Sequence, residues 1–171
     1  MPRVLNPVIS YRGQAYGVRV REGLLRDPPE IVQGQLQVPL TQHQQSQGMK
    51  SLQRKLISWY QSEALTILSE KSRYYADCIS ERFIEVKIGL YRSKWGSCSS
   101  KRILAYHWPL IMAPDRVIDY VVIHEVCHLA HLNHSKDFWR KVASLMPDYL
   151  TYQTWLKRHG GALQRLPFCV T

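Results

Sequence analysis

With 171 residues, 45% of them hydrophobic, the chain has the size and apolar content of one domain with an ordinary core. No apolar run approaches a membrane span, and the first seven residues lack the apolar stretch of a secretory signal, so the expectation is a cytoplasmic protein with no membrane partner. A net charge of +10 favours polyanionic partners, and the four cysteines (Cys78, Cys98, Cys127, Cys169) are too scattered for a disulfide framework or a zinc knuckle, so they read as packing thiols.

Residues 7–11 and 15–20 predict two strands around the turn Arg12-Gly13-Gln14. Residues 31–32 and 36–38 predict a second pair around Gln33-Gly34-Gln35, with Asp27-Pro28-Pro29 as the break between the hairpins. The glutamine-rich stretch 41–48 reads as a loop. From Met49 to Ala76, the residues Leu52, Leu56, Trp59, Tyr60, Leu65 and Leu68 recur at helical spacing, which predicts an amphipathic helix. Residues 83–91 and 103–108 predict strands, joined by a turn-rich connector over 93–100. Pro114 and Asp115 start a helix that carries Val117, Ile118, Val121 and Val122 to a stop at Asn133. Apolar residues cover much of its circumference, so it should be central and buried. Ser135 caps a helix over 136–145, Pro147-Asp148 breaks it, and a last helix runs from Tyr149 to His159, ended by Gly160-Gly161. The pattern predicts an α+β fold in two parts: an N-terminal β-hairpin region over 1–48, and a domain over 49–171 with a small antiparallel or mixed sheet on a central helix and C-terminal helices. The two parts can equally be one continuous domain.

His124-Glu125-Val126-Cys127-His128 reads His-Glu-x-x-His inside that helix. Imidazoles four residues apart face the same way and can reach one ion, while the intervening glutamate sits beside the ion without ligating it. A catalytic zinc needs three protein ligands and one open position. His131 lies two turns beyond His124, about 10 Å along the axis, too far for both rings to converge on bonds of about 2 Å. His134, just past the predicted helix end, can swing back under the pair. His107, on a strand that could pass the helix, is its rival. Zn2+ would lower the pKa of its water toward ~7 and polarise a carbonyl, and Glu125 would take the water's proton during attack. Tyr149, Tyr106 and His107 are candidate second donors to the oxyanion.

The segments Lys94-Trp95-Gly96-Ser97-Cys98-Ser99, Ile111-Met112-Ala113-Pro114, residues 117–128 and Asn133-His134-Ser135-Lys136-Asp137-Phe138-Trp139 resemble the YgjP-like metallopeptidases, relatives of the SprT and WLM families of zincins. The resemblance implies a zincin-like fold for the C-terminal half, zinc ligands at His124, His128 and His134, and Glu125 as general base. The family commonly carries arginine where this chain has Lys94, which keeps the charge and loses the planar fork. The resemblance further implies an extended substrate paired with a strand edge above the metal helix. Residues 103–108 are the expected edge, and Trp95, Tyr106 and His107 the candidate substrate-binding residues. Trp95 and Cys98 can equally pack the sheet onto the helix.

The expected function is zinc-dependent hydrolysis of peptide bonds in a peptide or protein substrate. Two other readings stand beside it. The basic stretches, Lys87 to Arg102 and Tyr149 to the C-terminus (Lys157, Arg158, Arg165), and the DNA-linked proteases among the SprT and WLM relatives suggest a protease that acts on DNA-bound proteins. A non-catalytic zinc module would need a closed coordination sphere, with Cys98 or Cys127 as fourth ligand.

Overall fold

The computed structural model describes residues 7–91 and 93–164, so Arg92, Arg165 and Cys169 lie outside the described residues. β1 (Val8–Tyr11) and β2 (Gln14–Glu22) form an antiparallel hairpin with Tyr11 opposite Gln14. Its two-residue turn, Arg12 (φ 50°) and Gly13 (φ 78°), takes the left-handed conformation at both positions, which matches the twist of the flanking strands. β3 (Glu30–Val32) and β4 (Gln35–Leu40) repeat the device through Gln33 (φ 48°) and Gly34 (φ 76°). Both hairpins fall where the sequence predicts them. Their union does not follow from alternation: β2 and β4 pair in parallel, giving a mixed sheet of order β1-β2-β4-β3. Ile9, Val18, Leu36 and Val38 make its buried face.

The glutamine-rich stretch, expected as loop, holds a short helix, α1 (Gln42–Ser46). Thr41 and Gln44 form a reciprocal capping box that satisfies its first amides. α2 (Met49–Cys78) buries Leu52, Leu56, Tyr60, Ala64, Leu68, Ser72 and Ala76, one residue per turn along a single face.

β5 (Glu85–Gly89), β6 (Gly96–Cys98) and β7 (Ile103–His107) form a second mixed sheet of order β5-β7-β6. This corrects two expectations. The connector over 93–100 contains a strand, and β7 is the central strand rather than the edge. Leu104 and Tyr106 of β7 are fully buried, because β5 pairs with it in parallel on one side and β6 antiparallel on the other. β6 is too short and too rich in small residues to show a strand pattern of its own.

A 3-10 turn (Trp108–Met112) leads to α3 (Asp115–Cys127). Arg12 grips Asp115 with two hydrogen bonds of 2.8 and 2.7 Å, and the amides of Arg12 and Gly13 donate to Ile111 and Met112 carbonyls. A Cβ on Gly13 would lie 2.8 Å from Pro114 Cα, so the hairpin turn docks on the start of α3 only as glycine. Lys71 of α2 and Asp119 of α3 form a largely buried ion pair at 2.6 Å. α3 ends at Cys127, not at Asn133. Beyond it the amides of Leu129 and Ala130 fall back on carbonyls three residues earlier, and the His128 ring takes the His131 carbonyl, which tightens the chain into a turn. α4 (Lys136–Leu145) starts at its expected cap, Ser135, whose hydroxyl accepts from the Phe138 amide.

α5 (Tyr149–Gln164) runs straight through Gly160-Gly161, the pair expected to stop it. Gly160 is buried against the Trp95 ring, where a Cβ would lie 2.8 Å from Cζ2. It is there for close approach, not termination.

The architecture is α+β, with small mixed sheets and helices gathered round α3. One hydrophobic cluster runs from Ile9 and Leu36 of the first sheet through α2 and α3 to Met146. No described helix is long and apolar enough to cross a membrane.

Candidate active site

Tyr120, His124 and His128 recur every four residues on α3 and share one face. The turn after α3 returns His134 to that face. Ring centroids lie 5.0 Å apart for His124–His128 and for His124–His134, and 4.7 Å apart for His128–His134. One nitrogen from each ring falls within 4.8 Å of the others, the spread a single ion can bridge with bonds of about 2 Å.

The tautomers follow from the partners. His128 Nδ1 lies 2.9 Å from the His131 carbonyl, which can only accept. Nδ1 therefore carries the proton and Nε2 keeps its lone pair. His131 thus serves the cluster through its backbone, not its ring. Nε2 of His124 and Nε2 of His134 approach to 3.0 Å. His124 Nδ1 is buried and has no hydrogen-bond partner among the described residues. Phe138 and Trp139 of α4 back the group: Phe138 stacks on His128 at 4.5 Å and Trp139 on His134 at 5.7 Å. Burial, and then the neighbouring imidazoles, push His124 down to about 3, and burial lowers His128 too. Three imidazoles whose ring nitrogens converge in this way suit a metal ion.

Glu125 leaves α3 about a quarter turn from His124 and is 6% exposed. Burial pushes its carboxyl up to about 8, against a smaller downward pull from Lys94. Its carboxylate lies against the backbone of β6. A Cβ on Gly96 would meet Glu125 Cγ at 2.7 Å and Oε1 at 2.9 Å, so a side chain there would displace the carboxylate.

An open cleft of about 350 Å³ runs beside these groups. Tyr120, Val121, His124 and Glu125 form its floor, and Lys94, Trp95 and Gly96 together with Gln153, Leu156 and Lys157 of α5 form its wall. Gln153 donates to the Tyr120 hydroxyl at 3.2 Å, which ties floor to wall.

A family model described as YgjP-like, metallopeptidase domain, matches residues 4–159. The chain belongs to the YgjP-like family. Membership brings a metal cofactor, and the three imidazoles are the residues that fit one. Among solved structures, the metallopeptidase zymogen abylysin of Pyrococcus abyssi is similar at 18% identity, covering 53% of this chain and 93% of that one, with a TM-score of 0.49. No protein of curated function matches the sequence.

The residues predicted for substrate in this YgjP-like chain are sorted by the fold. Trp95 lines the cleft. Tyr106 does not: it is fully buried on the central strand, its hydroxyl 2.8 Å from Ser72 Oγ. His107 is also in the core, at 2% exposure, where burial pushes it down to about 4. Its Nδ1 accepts the Tyr91 amide at 2.9 Å, and its ring meets Trp95 edge-on at 5.2 Å, so it supports the wall instead of facing substrate. Neither it nor a cysteine joins the imidazole cluster among the described residues. Cys127 is fully buried, its thiol pushed up to about 12, and burial pushes Cys98 up to about 11. Cys78, by contrast, is exposed. Tyr149 stacks between Trp139 and Tyr120.

Sequence reasoning missed Tyr120, Gly96, Gln153, Leu156 and Lys157. Tyr120 left a signal, one turn before His124 on the same face. Gly96 lies in a segment that carries the resemblance, but nothing in the sequence said that Glu125 packs against it. Gln153, Leu156 and Lys157 left no signal for the cleft, because α5 meets it through tertiary packing alone.

Proposed function

We propose that the chain is a zinc-dependent peptidase in which His124, His128 and His134 hold the ion and Glu125 is the general base. The observation that carries this reading is the convergence of three imidazoles beside a carboxylate seated on the floor of one cleft. Three imidazoles with room for a further ligand are the donor set of a catalytic zinc, which would polarise a carbonyl and acidify a water to about 7.

The chain's own residues do the rest. A cation at the imidazoles favours ionised Glu125, reversing the effect of burial. Glu125 then accepts a proton from the attacking water and passes it to the departing amine. β6, the sheet edge above the metal face, offers its free backbone side to an extended substrate, in the place expected of β7. Trp95 and Leu156 shape the cleft around the neighbouring side chains. Of the three candidate oxyanion donors, Tyr149 packs on Tyr120 and Trp139, the rings that flank His124.

Metal analysis of the purified protein, with a fluorogenic casein assay, tests this. We expect one zinc per chain, and Glu125→Gln should keep the zinc while losing turnover by a factor on the order of 10² to 10⁴. A wild-type protein that takes up no zinc, or a Glu125→Gln protein that still cleaves, overturns the reading.

A further inference from the structure

The cleft is lopsided in charge. Among the described residues its only acidic lining residue is Glu125, buried and seated against Gly96. Its two other charged lining residues are both lysines: Lys94, just ahead of β6, and Lys157, on α5. Both are exposed. Some cations elsewhere pair with acids, as in Arg12–Asp115, Lys71–Asp119 and Arg116–Asp148. Neither cleft lysine has an ion pair among the described residues. Lys94 is held in place by the Tyr91 ring, its Nζ 5.4 Å from the centroid, a contact that orients an ammonium group without neutralising it.

Between the lysines the walls are apolar: Trp95, Tyr120, Val121 and Leu156. Low-dielectric walls focus the field of charges at a cleft mouth. A basic side chain placed there would meet two ammonium groups, of which Lys94 alone feels a carboxyl, that of the buried Glu125. A carboxylate would give both an ion-pair partner at the surface, and its carbon stem would lie on the apolar lining.

We propose that this cleft selects peptide segments carrying a carboxylate next to the bond to be cut. The carboxylate comes either from an acidic side chain or from the free C-terminus of the substrate. The inference rests on the peptidase reading above and adds the substrate class. Lysine is a compact point charge, so it suits a carboxylate approaching from a range of angles, where arginine's fork would demand one plane. The +10 charge of the chain acts in the same direction at longer range, drawing acidic segments toward the protein.

The test uses the full zinc-loaded chain and a set of peptides of one apolar frame. One central position is varied among Glu, Gln and Lys, each peptide is made with a free and an amidated C-terminus, and cut sites are read by mass spectrometry. The Glu peptide should be cleaved about tenfold faster than the Lys peptide in kcat/KM at low salt, with the gap closing at high salt. Lys157→Glu, and separately Lys94→Glu, should shift the preference toward the Lys peptide. If the preference follows the free C-terminus and ignores the central residue, the terminal carboxylate is the group bound. Equal cleavage of all three peptides, or a preference that neither reversal moves, overturns the proposal and leaves the peptidase reading intact. If no peptide is cut, the peptidase reading has failed on its own account. Anisotropy of the same labelled peptides on the Glu125→Gln protein then decides: tighter binding of the Glu peptide, lost in the added Lys157→Glu change, supports the carboxylate site, and charge-blind binding overturns it.

Discussion

The imidazole face of α3 and the wall beside it in the cleft are built by different rules. The face is local: Tyr120, His124, Glu125 and His128 come from one helix, and His134 from the turn that follows. The wall is assembled from distant parts of the chain, with Trp95 and Gly96 at the start of β6 and Leu156 and Gly160 on α5. The face is specified by which side chains are present. The wall is specified in large part by side chains that are missing, since Gly96 admits Glu125 and Gly160 admits Trp95. Chemistry carried by spacing can be read along a chain. Shape made by close approach cannot, because a glycine does not say what comes near it.

The sharpest way to break this contrast is at the residue that completes the face. His134→Ala should lower zinc affinity and turnover together, turnover on the order of 10³-fold or more, because a ligand and the ion's alignment go at once. Titration with a chromophoric chelator and a peptidase assay read the two effects. His131→Ala should leave zinc affinity within about threefold, since its carbonyl and not its ring serves His128. Equal losses in the two variants would mean that the third ligand is misidentified.

On the wall, Gly96→Ala should separate position from ligation. The added Cβ would sit 2.7 Å from Glu125 Cγ, so the carboxylate must move while the imidazoles stay. We expect full zinc content, little change in KM and a drop in kcat of about 10- to 100-fold, the scale of a misplacement near 1 Å. Loss of zinc in step with kcat would show that face and wall are not separable.

This division explains what the sequence could and could not reveal. The hairpins, α2, the cap at Ser135 and the face of α3 were legible because each depends on neighbours within a few residues. The parallel union of β2 with β4, the central place of β7 and the passage of α5 through two glycines depend on partners far along the chain. Tyr106 and His107 were misread for the same reason. A polar residue near the end of a strand looks available until the sheet order puts that strand in the middle. The end of α3 was overestimated because no proline or glycine marks it. The His128 ring and the His131 carbonyl close the turn instead.

His107 gives a test of the wall that depends on pH. Its folded value is about 4 against 6.5 unfolded, so between these the unfolded chain binds the proton more readily and stability falls as pH drops. From neutral pH to pH 5 this residue should contribute a loss of roughly 2 kcal/mol. His124 is depressed in the same direction, so the wild-type slope contains both. His107→Gln, which keeps an acceptor for the Tyr91 amide, should flatten the slope by about the His107 share. Denaturant midpoints at pH 7 and pH 5 measure it. An unchanged slope would show that His107 is protonated freely in the folded protein and that the support beneath Trp95 is looser than its burial indicates.

The smallest effects make the finest comparison, because they come from neighbouring glycines with the same sequence signal. Both Gly160 and Gly161 lie inside α5, where glycine costs about 0.5–1 kcal/mol relative to alanine. Around Gly161 a Cβ would meet nothing within 4 Å. Gly161→Ala should therefore stabilise the protein by about 0.5–1 kcal/mol, as the helix gains what glycine forfeits. Gly160→Ala gains the same propensity and then drives a methyl into the Trp95 ring at 2.8 Å. Overpacking of this kind costs about 1–3 kcal/mol, so the net change should be destabilising or close to zero. It should also come with altered peptide cleavage, because Trp95 is a cleft wall and must shift. Chemical denaturation read beside kcat/KM distinguishes the pair. If Gly160→Ala proved as stabilising as Gly161→Ala, with cleavage unchanged, α5 would not be pressed against Trp95, and the wall would not owe its shape to an absent side chain.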